Sequence, residues 1–213
     1  MGKIAFVFSG QGAQYSGMGK SLYESSTSAK KLYDFAEEYR CGTKKQSFEG
    51  TDEELRQTKN TQPCLYLVDL SAALALNEHG IFADCAAGFS LGEIAALAYG
   101  GAYSFEDGFK IVVKRGEFMQ EASLKYDTAM AAVLKINSKT IEDVCGKIEN
   151  VYPVNYNSAE QTVIAGEKGA ISRFKEEISA YPCKIIDLAV SAAFHSPFMD
   201  EASNKFGAEL SLY

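Results

Sequence analysis

Residues 88–92 read Gly88-Phe89-Ser90-Leu91-Gly92, a G-x-S-x-G stretch. It lies between a small apolar run, residues 81–87, and a helix-like run, residues 93–98. Strand, sharp turn and helix are what a nucleophile elbow requires. Such a turn lifts the serine hydroxyl above the sheet, at the positive end of the helix, where it can attack a carbonyl and carry an acyl group. The attack needs a base, and the chain has two histidines. His79 precedes Gly80 at the end of a helix-like run, a place where an imidazole meets the last carbonyls and the helix dipole. His195 sits in a loop between Phe194 and Ser196-Pro197. It is either a loop histidine with a local backbone bond or the base, and only it remains for Ser90. Serine first and histidine much later is the α/β-hydrolase order.

The oxyanion that forms needs two backbone N–H groups aimed at one spot. The elbow supplies that of Leu91. A second is expected from the Gly10-Gln11-Gly12 loop, whose glycines permit close approach. Nucleotide readings of this region fail: a dinucleotide fingerprint starting at Gly10 meets Tyr15 in place of its third glycine. A phosphate loop ending in Gly19-Lys20-Ser21 meets Gln14 where its first glycine belongs. Arg115 falls on the apolar stripe Ile111, Val112, Phe118, Met119, Ala122 of a helix expected over 104–122. A guanidinium there needs a partner. Glu93 is one candidate; a substrate carboxylate, gripped by two parallel hydrogen bonds, is the other.

These groups need a scaffold. A buried parallel strand is expected over 3–8, helices over 28–39, from 51, over 64–78 after Asn60-Thr61-Gln62-Pro63, and over 104–122. From about residue 126 the pattern becomes β-α-β-β-α-β, a ferredoxin-like order. The small domain is thus expected over 126–189, inserted into an α/β core of 1–125 and 190–213, which re-enters through residues 190–197. At 213 residues and 46% hydrophobic, the chain can build a real core. A net charge of −7 disfavours nucleic acid, and no apolar run reaches the roughly 20 residues that span a bilayer. Cys41, Cys64, Cys85, Cys145 and Cys183 are odd in number and lack C-x-x-C spacing. They point to free, mostly buried thiols in a reducing cytoplasm, with neither a disulfide framework nor a structural metal site.

Several stretches together resemble the malonyl-CoA:acyl carrier protein transacylases. They are Phe6-Val7-Phe8-Ser9-Gly10-Gln11-Gly12-Ala13-Gln14, Gly17-Met18-Gly19, Thr61-Gln62-Pro63, Gly88-Phe89-Ser90-Leu91-Gly92-Glu93 and Arg115-Gly116-Glu117-Phe118-Met119-Gln120. Asn155-Tyr156-Asn157-Ser158, Val163-Ile164-Ala165-Gly166 and Phe194-His195-Ser196-Pro197 complete the set, in family order. The resemblance implies an α/β-hydrolase-like core with a ferredoxin-like subdomain. It implies Ser90 as nucleophile, His195 as base, the N–H groups of Gln11 and Leu91 as oxyanion hole and Arg115 as the malonyl carboxylate's partner. Asn157 is implied at the substrate site, as is Phe194, whose bulk crowds an α-substituent. The implied reaction is ping-pong transfer from malonyl-CoA to acyl carrier protein, in fatty acid or polyketide synthesis, with no cofactor or metal. A serine esterase or thioesterase, and a catalytically silent docking module, are the competing expectations. Phe89 departs from the family's usual histidine. The chain ends 18 residues after His195, where family members continue, so either a fragment of a longer chain or a shortened form is expected.

Overall fold

The computed structural model describes residues 2–190 and 192–213. The returning segment 190–197 therefore contains one residue, Ser191, outside the described set. The chain divides into two compact units: residues up to Glu117 with Phe206–Tyr213, and Phe118–Lys205.

The first unit opens with strand β1 (Ala5–Phe8), followed by helices α1 (Lys20–Ser25), α2 (Thr27–Tyr39), α3 (Thr43–Glu49), α4 (Asp52–Arg56) and α5 (Thr58–Glu78). Strand β2 (Cys85–Gly88), helix α6 (Leu91–Tyr99) and helix α7 (Phe105–Ser123) come next, and the unit boundary falls inside α7. Side-chain caps set the helix starts. Ser26 accepts from Ala29 N–H at 3.1 Å; Thr51 and Glu54 form a reciprocal capping box; Ser104 accepts from Asp107 N–H at 3.0 Å. The long helix α5 is the axis of the core, where Leu65, Leu67 and Leu70 are fully enclosed. Each contributes roughly 1.5–3 kcal/mol by leaving water.

Helix α5 begins six residues before its expected start, because Pro63 lies inside it. Its first turns are polar yet satisfied locally: Asn60 donates to Glu54 O at 2.9 Å and Thr61 to Gln57 O at 3.0 Å. Strands β1 and β2 pair in parallel, Ala5 opposite Cys85 through Phe8 opposite Gly88. Their expected burial is observed only in part: Phe8 is 3% exposed and Phe6 packs against the core, but Val7 is 78% exposed and β2 is largely open. Among the described residues this sheet has two strands, so an apolar pattern suited to a sheet interior is left uncovered. The cysteines are free, as expected, but only Cys64 and Cys145 are buried, while Cys41 and Cys85 are exposed.

The second unit contains β3 (Thr128–Leu134), α8 (Ser138–Cys145), β4 (Val151–Ser158), β5 (Gln161–Glu167), α9 (Lys168–Ile178) and β6 (Lys184–Asp187). A short 3₁₀ turn, Pro197–Met199, leads into α10 (Asp200–Leu210). Its antiparallel sheet has the order β4-β5-β3-β6, the ferredoxin-like arrangement expected from the sequence. Alternation along β3 explains its two cores. Ala131 and Val133 meet Ile141, Ile171 and Phe174 under the helices. Met130 and Ala132 face the other side, with Ala193, Phe194 and Met199. No helix among the described residues is long and apolar enough to cross a membrane.

Candidate active site

Ser90 is held with φ 53° and ψ −101°, a region costing a non-glycine residue about 1–3 kcal/mol. The glycines around it make this turn possible. A Cβ on Gly88 would lie 2.0 Å from Gly92 C, and one on Gly92 would lie 2.2 Å from Phe8 O. Strand and elbow helix meet backbone to backbone. Gly92→Ala is accordingly expected to cost at least about 3 kcal/mol, read as a lowered urea midpoint. A midpoint equal to that of the parent would show that β1 can retreat.

The Gly10-Gln11-Gly12 loop is built against this turn. Ala13 N–H bonds to Gly10 O at 3.3 Å, closing a turn that places Gln11 and Gly12 at its centre, with Gly12 at φ 118°. A Cβ on Gly10 would lie 2.6 Å from Phe89 O, so only glycine lets the loop approach the elbow so closely. Phe89 N–H in turn bonds to Phe8 O at 3.1 Å. Leu91 supplies the first N–H of α6, the donor end of the helix.

Arg115 reaches the elbow from α7. Its Nη2 donates to Ser90 Oγ at 3.2 Å, and its Nη1 donates to Gln62 Oε1 at 2.8 Å. Gly116 brings the two helices together: a Cβ there would sit 3.1 Å from Thr58 O and from Lys59 Cα. The alternative partner, Glu93, makes no ion pair with Arg115 among the described residues and acts only through its field. Burial lowers the guanidinium pKa to about 10, partly offset by Glu93. The group remains a cation at neutral pH, held by two neutral oxygens. Among the described residues no carboxylate forms an ion pair with it, and a carboxylate is the partner that suits such a cation.

Gln62 had no role in the sequence beyond its place in Thr61-Gln62-Pro63. It is 1% exposed, and a buried amide beside an inward-facing arginine was the signal available. His79 caps α5 through its backbone and is exposed. It lies about 25 Å along that helix from Gln62 at 1.5 Å per residue, too far to serve the elbow through that helix.

Asp69, also on α5, accepts from Ser9 Oγ at 2.9 Å. Burial pushes its carboxyl up to about 6, against the lowering effect of the Ser9 bonds. A carboxyl that holds its proton more tightly folded than unfolded adds stability below about pH 4, and loses it as pH climbs through the folded value. Relative to Asp69→Asn, the parent protein should therefore lose up to about 3 kcal/mol between pH 4 and pH 7. Urea titrations at both pH values check this; a constant difference would contradict it.

The other expected site residues belong to the second unit. His195 is exposed, with φ 61°. Its neighbours are pinned: Ala193 N–H bonds to Thr128 Oγ1 at 3.1 Å, Ser196 Oγ donates to Ala193 O, and Met199 N–H bonds to Ser196 O at 2.9 Å. The imidazole is thus presented from a fixed, strained bend. Phe194 is 7% exposed and packs with Ala193 and Met199. Asn157 is exposed at the end of β4, where the pairing slips between Tyr156 and Ser158. That irregularity interrupts the regular pleat at Asn157.

Residues 5–212 match the family model described as acyl transferase domain. A malonyl CoA-acyl carrier protein transacylase of Bacillus subtilis (strain 168) is 42% identical over 212 residues, covering 96% of this chain and 67% of the relative. The chain belongs to the acyl transferase domain family. The crystal structure of the malonyl CoA-acyl carrier protein transacylase from Clostridium perfringens superposes on this acyl transferase domain with a TM-score of 0.94. It is 35% identical, and the match covers all of this chain and 68% of that one. A type II polyketide acyl-carrier protein in complex with its malonyl-transacylase contains a chain 32% identical, with a TM-score of 0.92 over 99% of this domain and 70% of that chain. The acyl transferase domain thus spans about two thirds of the length of these relatives.

Proposed function

We propose that this chain is an [acyl-carrier-protein] S-malonyltransferase, moving a malonyl group from malonyl-CoA to the phosphopantetheine thiol of acyl carrier protein. The observation that carries the reading is the Arg115 Nη2–Ser90 Oγ contact at 3.2 Å. An acyl group seated on Ser90 has its far end beside a buried cation, and malonyl is an acyl group that ends in a carboxylate. An apolar acyl chain, as in an ordinary esterase, would gain nothing from that guanidinium and would leave it desolvated.

In this reading His195 takes the proton of Ser90, and the serine oxygen attacks the thioester carbonyl. The N–H groups of Gln11 and Leu91 hold the oxyanion, and CoA leaves as a thiol after receiving a proton. The carrier protein's thiol then attacks the malonyl-serine by the same steps in reverse. The family resemblance gives Phe194 the role of disfavouring a substituted α-carbon and Asn157 a role in substrate binding. In this reading residues 1–125 and 190–213 make up the acyltransferase core and 126–189 the ferredoxin-like subdomain, a division that differs from the compact units, which part after Glu117 and before Phe206, and the protein works in the cytoplasm.

Incubation with malonyl-CoA followed by intact-mass measurement tests this. One malonyl unit on Ser90, discharged faster by acyl carrier protein than by water, is the expected result. Discharge by water alone would make the protein a thioesterase. No acylation would leave a silent docking module.

A further inference from the structure

Ser9 leaves β1 at the point where strand, oxyanion loop and elbow meet. A Cβ added to Gly92 would lie 2.6 Å from Ser9 O, and the next residue, Gly10, abuts Phe89. Ser9 therefore fixes where the loop carrying Gln11 starts. Its Oγ donates to Asp69 Oδ1 at 2.9 Å, and its backbone also bonds to that carboxyl. The other oxygen, Asp69 Oδ2, is buried without a protein hydrogen-bond partner among the described residues. A carboxyl group is an expensive occupant of such a place, and its hydrogen bonds go to Ser9.

The position of Asp69 on its helix is informative. It lies seven residues after Gln62, and Gln62 four after Thr58, so all three share one face of α5. Thr58 Oγ1 accepts from Gln11 Nε2 at 3.4 Å, Gln62 holds Arg115, and Asp69 holds Ser9. One stripe of one helix thus backs both the cation and the loop.

We infer that Asp69 is a positioning residue for acyl transfer, clamping Ser9 so that the N–H of Gln11 stays aimed at the oxyanion. The inference rests on the acyl-transfer reading of the elbow. The test compares the parent with Asp69→Ala, Asp69→Asn, Ser9→Ala and the Asp69→Ala/Ser9→Ala double variant. Two measurements are made on each: the rate and KM of Ser90 acylation by malonyl-CoA, and amide hydrogen exchange along the chain.

Asp69→Ala should slow acylation roughly tenfold to a hundredfold at nearly unchanged KM, the scale of a small misplacement of a catalytic group. Ser9→Ala should do the same, the double variant should be no slower than either single, and Asp69→Asn, which keeps an acceptor, should recover most of the rate. Exchange should quicken at residues 9–12 while the interior of α5 stays protected. Additive losses, acylation of Asp69→Ala at the parent rate, or loss of protection throughout α5 would overturn the inference. If the parent itself fails to acylate, the acyl-transfer reading falls. The exchange data then still decide whether Asp69 holds the loop.

Discussion

Ser90→Ala should leave no acyl-enzyme after incubation with malonyl-CoA, and transfer to acyl carrier protein should fall on the order of 10⁶-fold, the scale of deleting a catalytic nucleophile. Intact mass and a carrier-protein transfer assay measure both quantities. The fold should survive, because the strained turn is held by its surroundings. Gly88 and Gly92 close strand on helix, Phe89 N–H ties to Phe8 O, and Gly92 N–H bonds to Phe89 O at 3.0 Å. A cooperative melt near that of the parent would separate lost chemistry from lost structure. Malonyl uptake by the alanine variant would place the acyl group elsewhere and remove the elbow from the mechanism.

Arg115→Ala is the second large effect, and it acts on choice of substrate. On the proposed role of Arg115, losing a charge-assisted pair to the malonyl carboxylate costs about 3 kcal/mol, roughly a hundredfold in kcat/KM. An acetyl group, which has no carboxylate to place there, keeps its rate. Preference between malonyl-CoA and acetyl-CoA should therefore collapse or reverse in competition assays. Gln62 Oε1 loses its donor in the same variant, so thermal stability should drop as well, by about 1–3 kcal/mol. Arg115→Lys keeps a charge without the planar fork and should fall between the two. If malonyl preference survives in the alanine variant, Arg115 braces Gln62 and the serine but does not read the substrate.

What the sequence made legible followed from local rules. The elbow was readable because its two glycines flank the serine within five residues, between a strand-like and a helix-like run, and the subdomain because its strand and helix periods alternate cleanly. The position of Arg115 on an apolar face announced a buried cation, although spacing could not choose between Glu93 and a ligand. Gln62 and Asp69 escaped notice for a different reason. Their partners, Arg115 and Ser9, lie 53 and 60 residues away in sequence, and no local pattern encodes such pairs. Pro63 misled, since the punctuation that marks a helix start also fits within the early turns of a longer one. The openness of β1 and β2 was equally invisible, because hydrophobicity records what a strand is suited to touch rather than what covers it.

Helix α5 has one further implication. Loop, cation and nucleophile belong to stretches distant in sequence, yet the first two are moored to a single rod, and the third touches the cation. A bend in that rod near Pro63 would displace substrate recognition and oxyanion stabilisation in concert. On the roles proposed for Arg115 and Gln11, turnover and fidelity would be yoked mechanically, and variants that loosen one without disturbing the other should arise on α7 or the elbow rather than along α5.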